Sequence, residues 1–338
     1  MDVFFYEAFE EEQLALKRSL PAHVDAGFSR QTIQEIGEST PRARFISIRT
    51  QSIIPLSWAS DVEGILSRST GYDHIEAFWE RAGRRTPCGY LPLYCNRSVA
   101  EQAMLIWMSL LRKFPKQTEH FSRFDRDGLT GLECASKTLL VVGVGHIGFE
   151  VVKIGCGLGM QVLGVDIVQK HDSVTYVSIE EGLDAADVIV CAMNLTSANR
   201  GYFHYRLLKQ AKRGAFFVNV ARGELSASTD LLRLLDENHL GGVGLDVYEN
   251  ESALAVSLRT AHSVDEEEVR ATLELAKHSN VVCTPHNAFN TLEALERKTD
   301  HSVQQIIHFL EHDRFLWPVP SSSESMSPIN FEKNHKFD

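Results

Sequence analysis

The sequence predicts an α/β chain of two doubly wound, parallel-sheet domains, one inserted into the other. Three observations predict it. Residues 138–166, TLLVVGVGHIGFEVVKIGCGLGMQVLGVD, read as apolar strand, glycine turn, helix, second strand and a closing acid, the pattern of a Rossmann unit. That unit starts at residue 138 of 338, so a whole segment precedes it. Strands alternate with helical patterns on both sides, which is the signature of parallel sheets covered by helices.

In chain order, residues 3–6 form a strand, followed by an acidic amphipathic helix through Leu16. Residues 44–48 and 65–67 are further strands, 75–81 are helical and 89–91 are a short extended piece. Together they make a small, flavodoxin-like α/β domain. Ser98-Val-Ala-Glu101 reads as a capping box, a hydroxyl at the N-cap with a carboxylate three residues on, starting a long helix to about Leu111. Leu105, Ile106, Trp107, Met108, Leu110 and Leu111 make that helix apolar nearly all round, so burial on several sides and a subunit interface, hence a homodimer, are expected.

From Thr138 the alternation resumes, with strands at 138–142, 161–165, 188–191, 216–220, 242–246 and 281–284. Residues 291–313 then have helical periodicity through Leu292, Leu295, Val303, Ile306, Ile307 and Leu310, and return the chain to the first domain. The expected division is a discontinuous substrate domain, 1–96 and 290–318, an inserted dinucleotide-binding domain, 97–289, and a polar, serine-rich mobile tail, 319–338. The active site is expected in the cleft between the domains, at the carboxyl ends of the strands, with hinges near 96–98 and 288–290.

Each residue of the glycine turn has a physical task. Gly143 lets the chain leave the strand tightly, Gly145 lets backbone approach a pyrophosphate, and Gly148 lets the helix pack on the strand. The helix starting near His146 offers unpaired N–H groups and its positive dipole end to phosphates. Asp166 ends the second strand, where a carboxylate accepts hydrogen bonds from ribose hydroxyls and repels a 2′-phosphate. The residues after it, Ile167, Val168 and Gln169, include no arginine, so NAD is expected over NADP.

The bulk composition excludes other classes. With 34 basic and 45 acidic side chains, a net charge of −11 argues against nucleic acid or an anionic membrane as main partner. The N-terminus, MDVFFYEAFEEE, has acids where a signal peptide needs bases, and the apolar run at 103–111 is too short to span a bilayer. Six cysteines without a C-x-x-C pair read as reduced thiols, and a cytoplasmic location is expected. Cys95 reads as a small apolar filler. His308 and His312 have a spacing that can bind zinc, but no third ligand accompanies them, and no metal is expected. The acidic run 265–268 reads as an exposed loop or helix start.

Three polar groups stand just past predicted strands of the inserted domain: Arg222 after FFVNVA, Glu251 after GVGLDVYEN and His286 after VVCTP. Ends of parallel strands on one edge converge. An arginine fork holds a carboxylate, a histidine exchanges a proton near neutral pH, and a carboxylate beside it favours the imidazolium. Such a set suits hydride transfer to a 2-oxo acid.

At these residues the chain resembles the D-isomer-specific 2-hydroxyacid dehydrogenase family. The matching pieces are GVGHIG, VNVARGEL, GVGLDVYENE and TPHNAF, with RSTGYDHI and SVAEQA upstream, over residues 45–317. The resemblance implies that Arg222 binds the substrate carboxylate and keto oxygen, that His286 is the acid–base and that Glu251, rather than the nearer Glu249, is its partner. It implies Gly143, Gly145, His146, Ile147, Gly148, Asp166, Asn194, Thr196, Ala221 and Asp246 as cofactor residues, Asp246 near the nicotinamide carboxamide. It implies that backbone around Gly71 cradles the substrate carboxylate. Tyr94 and Phe289 are similar to aromatic pocket residues of the D-lactate-specific members, and an aromatic, sparsely charged pocket suits a methyl tail. Pyruvate and D-lactate are therefore the leading pair. Glyoxylate or hydroxypyruvate reduction, or an NAD-sensing corepressor-like binding protein, remain open alternatives. One departure is Asn194, where the family often has proline.

Overall fold

The computed structural model describes residues 1–260 and 266–320, and these divide into two compact units. The first holds Met1–Tyr94 and the described chain from Leu295 onward; the second is Cys95–Ala294.

In the first unit, β1 (Val3–Phe5), β2 (Ala26–Phe28), β3 (Phe45–Ile48), β4 (Gly64–Ser67) and β5 (Cys88–Gly89) form a parallel sheet in the order β2-β1-β3-β4-β5. This is the flavodoxin-like order, which reverses between β1 and β3. Phe4, Ile46, Ile65, Trp58 and Phe78 fill the core on one side. Helix Glu10–Ser19 carries three glutamates in its first turn and Lys17 and Arg18 in its last, matching its dipole at both ends.

The second unit has seven parallel strands: β6 (Thr138–Val142), β7 (Gln161–Val165), β8 (Thr175–Tyr176), β9 (Val188–Cys191), β10 (Phe216–Asn219), β11 (Gly242–Leu245) and β12 (Val281–Cys283). Their order is β12-β11-β10-β9-β6-β7-β8, a doubly wound Rossmann sheet. The central strands read as unbroken apolar runs because helices cover both faces. Val165, Val142, Cys191, Asn219, Leu245 and Cys283 pair as one row across the sheet. The carboxyl ends of six strands are therefore level, and the residues just beyond them share one edge.

Several expectations need correction. The long helix runs Asn96–Leu111 and starts before Ser98, whose hydroxyl donates to the Cys95 carbonyl (2.9 Å) from inside the first turn. Glu101 pairs with Arg97, so the hydroxyl-and-acid spacing there is no capping box. Genuine capping boxes occur at Thr32–Glu35 and Ser178–Glu181. Along the same helix Ile106, Trp107, Leu110 and Leu111 are buried, but Leu105 is 55% exposed. Strands β2 and β8 were not expected: they are short edge strands without an apolar run.

The C-terminal helix spans Leu292–His312. Beyond it Val319 is buried and donates to the Cys88 carbonyl (2.8 Å), so the start of the expected tail packs in the first unit. Residues 321–338, and Asp265 of the acidic run, lie outside the described residues. Glu267 opens helix Glu267–Leu275, and Glu268 accepts from the Ser228 backbone N–H (2.7 Å) at the start of helix Ser228–Asp236. Among the described residues no helix is long and apolar enough to cross a membrane.

Candidate functional site

The glycine turn has the geometry a dinucleotide requires. Gly143 sits at φ +91°, and a Cβ there would meet the Met193 backbone at 2.6 Å. A Cβ on Gly148 would meet the Gly143 carbonyl oxygen at 1.9 Å, so only glycine allows helix His146–Gly157 to start this close to the strand. Around Gly145 a Cβ would meet nothing within 4 Å, so the backbone opens onto free space. Asp166, one residue past β7, accepts hydrogen bonds from the backbone N–H of Val144 (2.6 Å) and Val168 (3.0 Å). It thus braces the turn while its remaining lone pairs stay available to hydroxyl donors. Past β9, Thr196 N–H donates to Asn199 Oδ1 and Asn199 Nδ2 to the Asn194 carbonyl, both at 2.7 Å, closing that loop on itself.

Arg222 lies three residues past β10. The fully buried Asn219 closes the segment: its Oδ1 accepts from Ala221 N–H (3.0 Å), and its Nδ2 donates to the Arg222 carbonyl and to Ser226 Oγ, both at 2.9 Å. Arg222 Nη1 donates to the Ala221 carbonyl (2.8 Å). A Cβ on Gly223 would lie 1.9 Å from the Tyr248 carbonyl carbon and 2.1 Å from Glu249 N. The absent side chain lets the arginine segment touch the segment that leads to Glu251.

Glu251 opens helix Glu251–Thr260, and its Oε2 lies 2.7 Å from Nδ1 of His286. Each side chain keeps about a fifth of its surface exposed, at 22% and 23%. Glu249, the nearer acid in sequence, faces Arg200 instead (4.0 Å), and burial, then Glu268 and Glu224, raise its pKa. The sheet edge thus brings Glu251, not Glu249, to the histidine.

The loop carrying His286 is tied down from below. His286 itself has φ +49°, an uncommon conformation for a residue with a side chain. Asp246, fully buried one residue past β11, accepts from Thr284 Oγ1 (2.5 Å) and from the backbone N–H of Asn287 and Ala288 (both 2.9 Å). Burial raises the Asp246 pKa, against the pull of these three donors. The buried Tyr248 hydroxyl donates to the Leu245 and Thr284 carbonyls, joining the ends of β11 and β12. Burial pushes its pKa well above the usual phenol value. Asn219, Gly223 and Tyr248 were missed from sequence. The only signal was their placement next to the motif residues.

Phe289 is half-buried, and its carbonyl accepts weakly from Ser98 Oγ (3.3 Å). In the first unit, Gly71 lies four residues past β4 and its carbonyl accepts from Ser69 Oγ (2.7 Å). Tyr94 is 4% exposed, and its carbonyl accepts from Arg297 Nε (2.8 Å). Its surroundings are not sparsely charged: the Lys298 ammonium lies 5.9 Å from its ring centre. Cys95 is buried, and His308 and His312 turn their Nδ1 atoms to backbone carbonyls.

Chemically, the second unit combines a phosphate-binding turn, an arginine fork and an oriented imidazole on one edge of a sheet. Residues 104–288 match the family model described as D-isomer specific 2-hydroxyacid dehydrogenase, NAD binding domain. A D-lactate dehydrogenase of Streptococcus agalactiae serotype V is 29% identical over 271 residues, 77% of this chain and 80% of that one. A D-specific alpha-keto acid dehydrogenase of Enterococcus faecalis is 30% identical over 258 residues, 75% and 78% of the two chains. Among solved structures, the D-lactate dehydrogenase of Aquifex aeolicus complexed with NAD and lactic acid has a TM-score of 0.81 at 26% identity, covering 95% of this chain and all of that one.

Proposed function

The chain belongs to the D-isomer-specific 2-hydroxyacid dehydrogenase family and is an NAD-dependent D-2-hydroxyacid dehydrogenase, and from that premise we propose which residues carry the reaction and on what acid. The 2.7 Å contact between His286 Nδ1 and Glu251 carries the reading. Gly143, Gly145, Gly148 and Asp166, with the N–H groups from His146 and Ile147, hold NAD, and Asn194, Thr196, Ala221 and Asp246 complete its surroundings. Bound there, NAD supplies or accepts the hydride.

Arg222 holds the carboxylate of the 2-oxo acid through two parallel N–H···O bonds. His286, oriented by Glu251 on Nδ1, gives the proton on Nε2 to the oxygen at C2 during reduction and takes it back during oxidation. Glu251 fixes the ring through Nδ1. Asp246 fixes the backbone that presents the ring. Gly71, Tyr94 and Phe289 are the remaining proposed substrate residues.

Pyruvate and D-lactate are the reference pair, supported by the names of the relatives. The proposed functional form is a cytoplasmic homodimer. Six free cysteines support the compartment, and Leu105, exposed on the helix Asn96–Leu111, supports the contact. The test is NADH oxidation by the purified chain over a panel of 2-oxo acids. Turnover yielding the D-2-hydroxy acid supports the reading, and tight NADH binding without turnover on any member overturns it.

A further inference from the structure

Tyr248 stands where the three segments of the second unit that carry Arg222, Glu251 and His286 come together. Its backbone lies against Gly223, the residue after Arg222. A Cβ on that glycine would be 1.9 Å from the Tyr248 carbonyl carbon and 2.3 Å from its oxygen. Three residues further along the chain, Glu251 opens its helix. The tyrosine side chain is buried, and its hydroxyl lies 2.8 Å from the Thr284 carbonyl oxygen and 3.1 Å from that of Leu245. Thr284 leads directly into the His286 loop.

The Thr284 carbonyl is a fixed point of that loop. It also accepts from the His286 N–H at 2.9 Å, closing a three-residue turn across Pro285 that delivers His286 at φ +49°. A residue with a side chain keeps such a conformation only where its neighbours hold it. Asp246 holds the Thr284 hydroxyl and the N–H groups of Asn287 and Ala288, which follow the histidine. The Tyr248 hydroxyl holds the carbonyl that precedes it.

Neither carbonyl needs the hydroxyl to be satisfied. Thr284 has the His286 N–H, and the Leu245 carbonyl accepts from the Thr284 N–H at 2.9 Å. A phenylalanine ring would fill the same buried space, so the hydroxyl adds direction rather than burial. Burial, reinforced by the Cys283 thiol, raises the phenol pKa well above its usual value, so the hydroxyl keeps its proton and remains a donor.

We propose that Tyr248 is a positioning residue for the proton transfer: its hydroxyl holds the Thr284 carbonyl, and through it the backbone that presents His286 to Glu251. The inference rests on the proposed role of His286 and deepens it. A misplacement on the order of 1 Å costs up to about 100-fold in rate.

The test is Tyr248→Phe, which removes one oxygen and leaves the ring. NADH oxidation is measured on the best 2-oxo acid of the panel. The kcat is expected to fall by about 10-fold, the order of one lost hydrogen bond, while KM for the acid and Kd for NADH stay within about twofold. The solvent deuterium isotope effect on kcat is expected to rise, because proton transfer becomes the slower step. In histidine-labelled protein the His286 ring resonances, assigned by their loss in His286→Gln, are expected to shift. Both carbonyls keep a backbone donor in this variant, so the fold should survive. Tyr248→Met, whose flexible side chain adapts to the space, is read in the same way if the phenylalanine variant does not fold. A purely structural role would lower the thermal transition and leave kcat, isotope effect and ring resonances unchanged. That result, or a loss of NADH affinity equal to the loss of kcat, overturns the inference and leaves the proposed function standing. Absence of NADH oxidation by the wild type with every acid overturns the proposed function and this inference with it.

Discussion

His286 Nδ1 meets the Glu251 carboxylate at 2.7 Å, across the ends of two adjacent strands and well separated in sequence. A carboxylate in that position fixes the orientation of the ring. In Glu251→Gln that charge is gone and the hydrogen bond can persist. The kcat for 2-oxo acid reduction is expected to fall by about 10- to 100-fold, because the ring is no longer held by a carboxylate as the proton moves. Steady-state rates in both directions check this, and unchanged rates remove Glu251 from this role.

Arg222 is held by the Asn219 side chain and the contact under Gly223, so its loss should leave the backbone in place. For Arg222→Gln, kcat/KM for the 2-oxo acid is expected to fall roughly 100-fold or more, the loss of charge-assisted hydrogen bonds. The Kd for NADH, read by fluorescence titration, is expected to change little. An equal loss in both would place Arg222 on the cofactor instead.

Asp166 braces Val144 N–H and stands past β7, beside the turn. In Asp166→Ser the KM for NADH is expected to rise by about 10-fold or more, and the preference for NADH over NADPH to narrow, because a repelling charge is removed. Kinetics with both cofactors check this, and an undiminished preference would assign the discrimination elsewhere.

Glu12 links pH to the stability of the first unit. Burial alone would raise its pKa, but Arg68, Lys298 and Arg49 outweigh it and hold the carboxyl down to about 2, against an ordinary 4.5. A depressed folded value means stabilisation that is complete above the ordinary pKa and lost as pH falls from 4.5 toward 2. Glu12→Gln leaves Arg68 and Lys298 buried without their carboxylate, and is expected to cost about 3–5 kcal/mol at neutral pH. Its urea midpoint should fall less steeply between neutral and acid pH than that of the wild type. Parallel slopes would show that Glu12 is not the group responsible.

The parts that sequence made legible are those whose physics is local. The three glycines act through their missing side chains, and Gly143 through its positive φ as well, and the apolar runs of β6, β9 and β10 announce a sheet buried on both faces. Glu249 and Glu251 are alike in type and neighbourhood. Only the fold, which turns one to Arg200 and the other to His286, tells them apart. Ser98 and Glu101 have capping-box spacing, yet the helix starts earlier and each finds a nearer partner. Strands β2 and β8 are edge pieces formed by pairing with β1 and β7 rather than by their own residues. Tyr248 and Thr284 come from two distant segments, so no spacing could have joined them.

The central claim is that His286 moves the proton while NADH reduces a 2-oxo acid. The most direct test is the rate of 2-oxo acid-dependent NADH oxidation by wild type and His286→Gln, with NADH affinity measured on both. The account predicts wild-type turnover to the D-2-hydroxy acid, and a variant that binds NADH equally well but keeps less than about a hundredth of kcat. A His286→Gln protein turning over at a rate close to that of the wild type would contradict it.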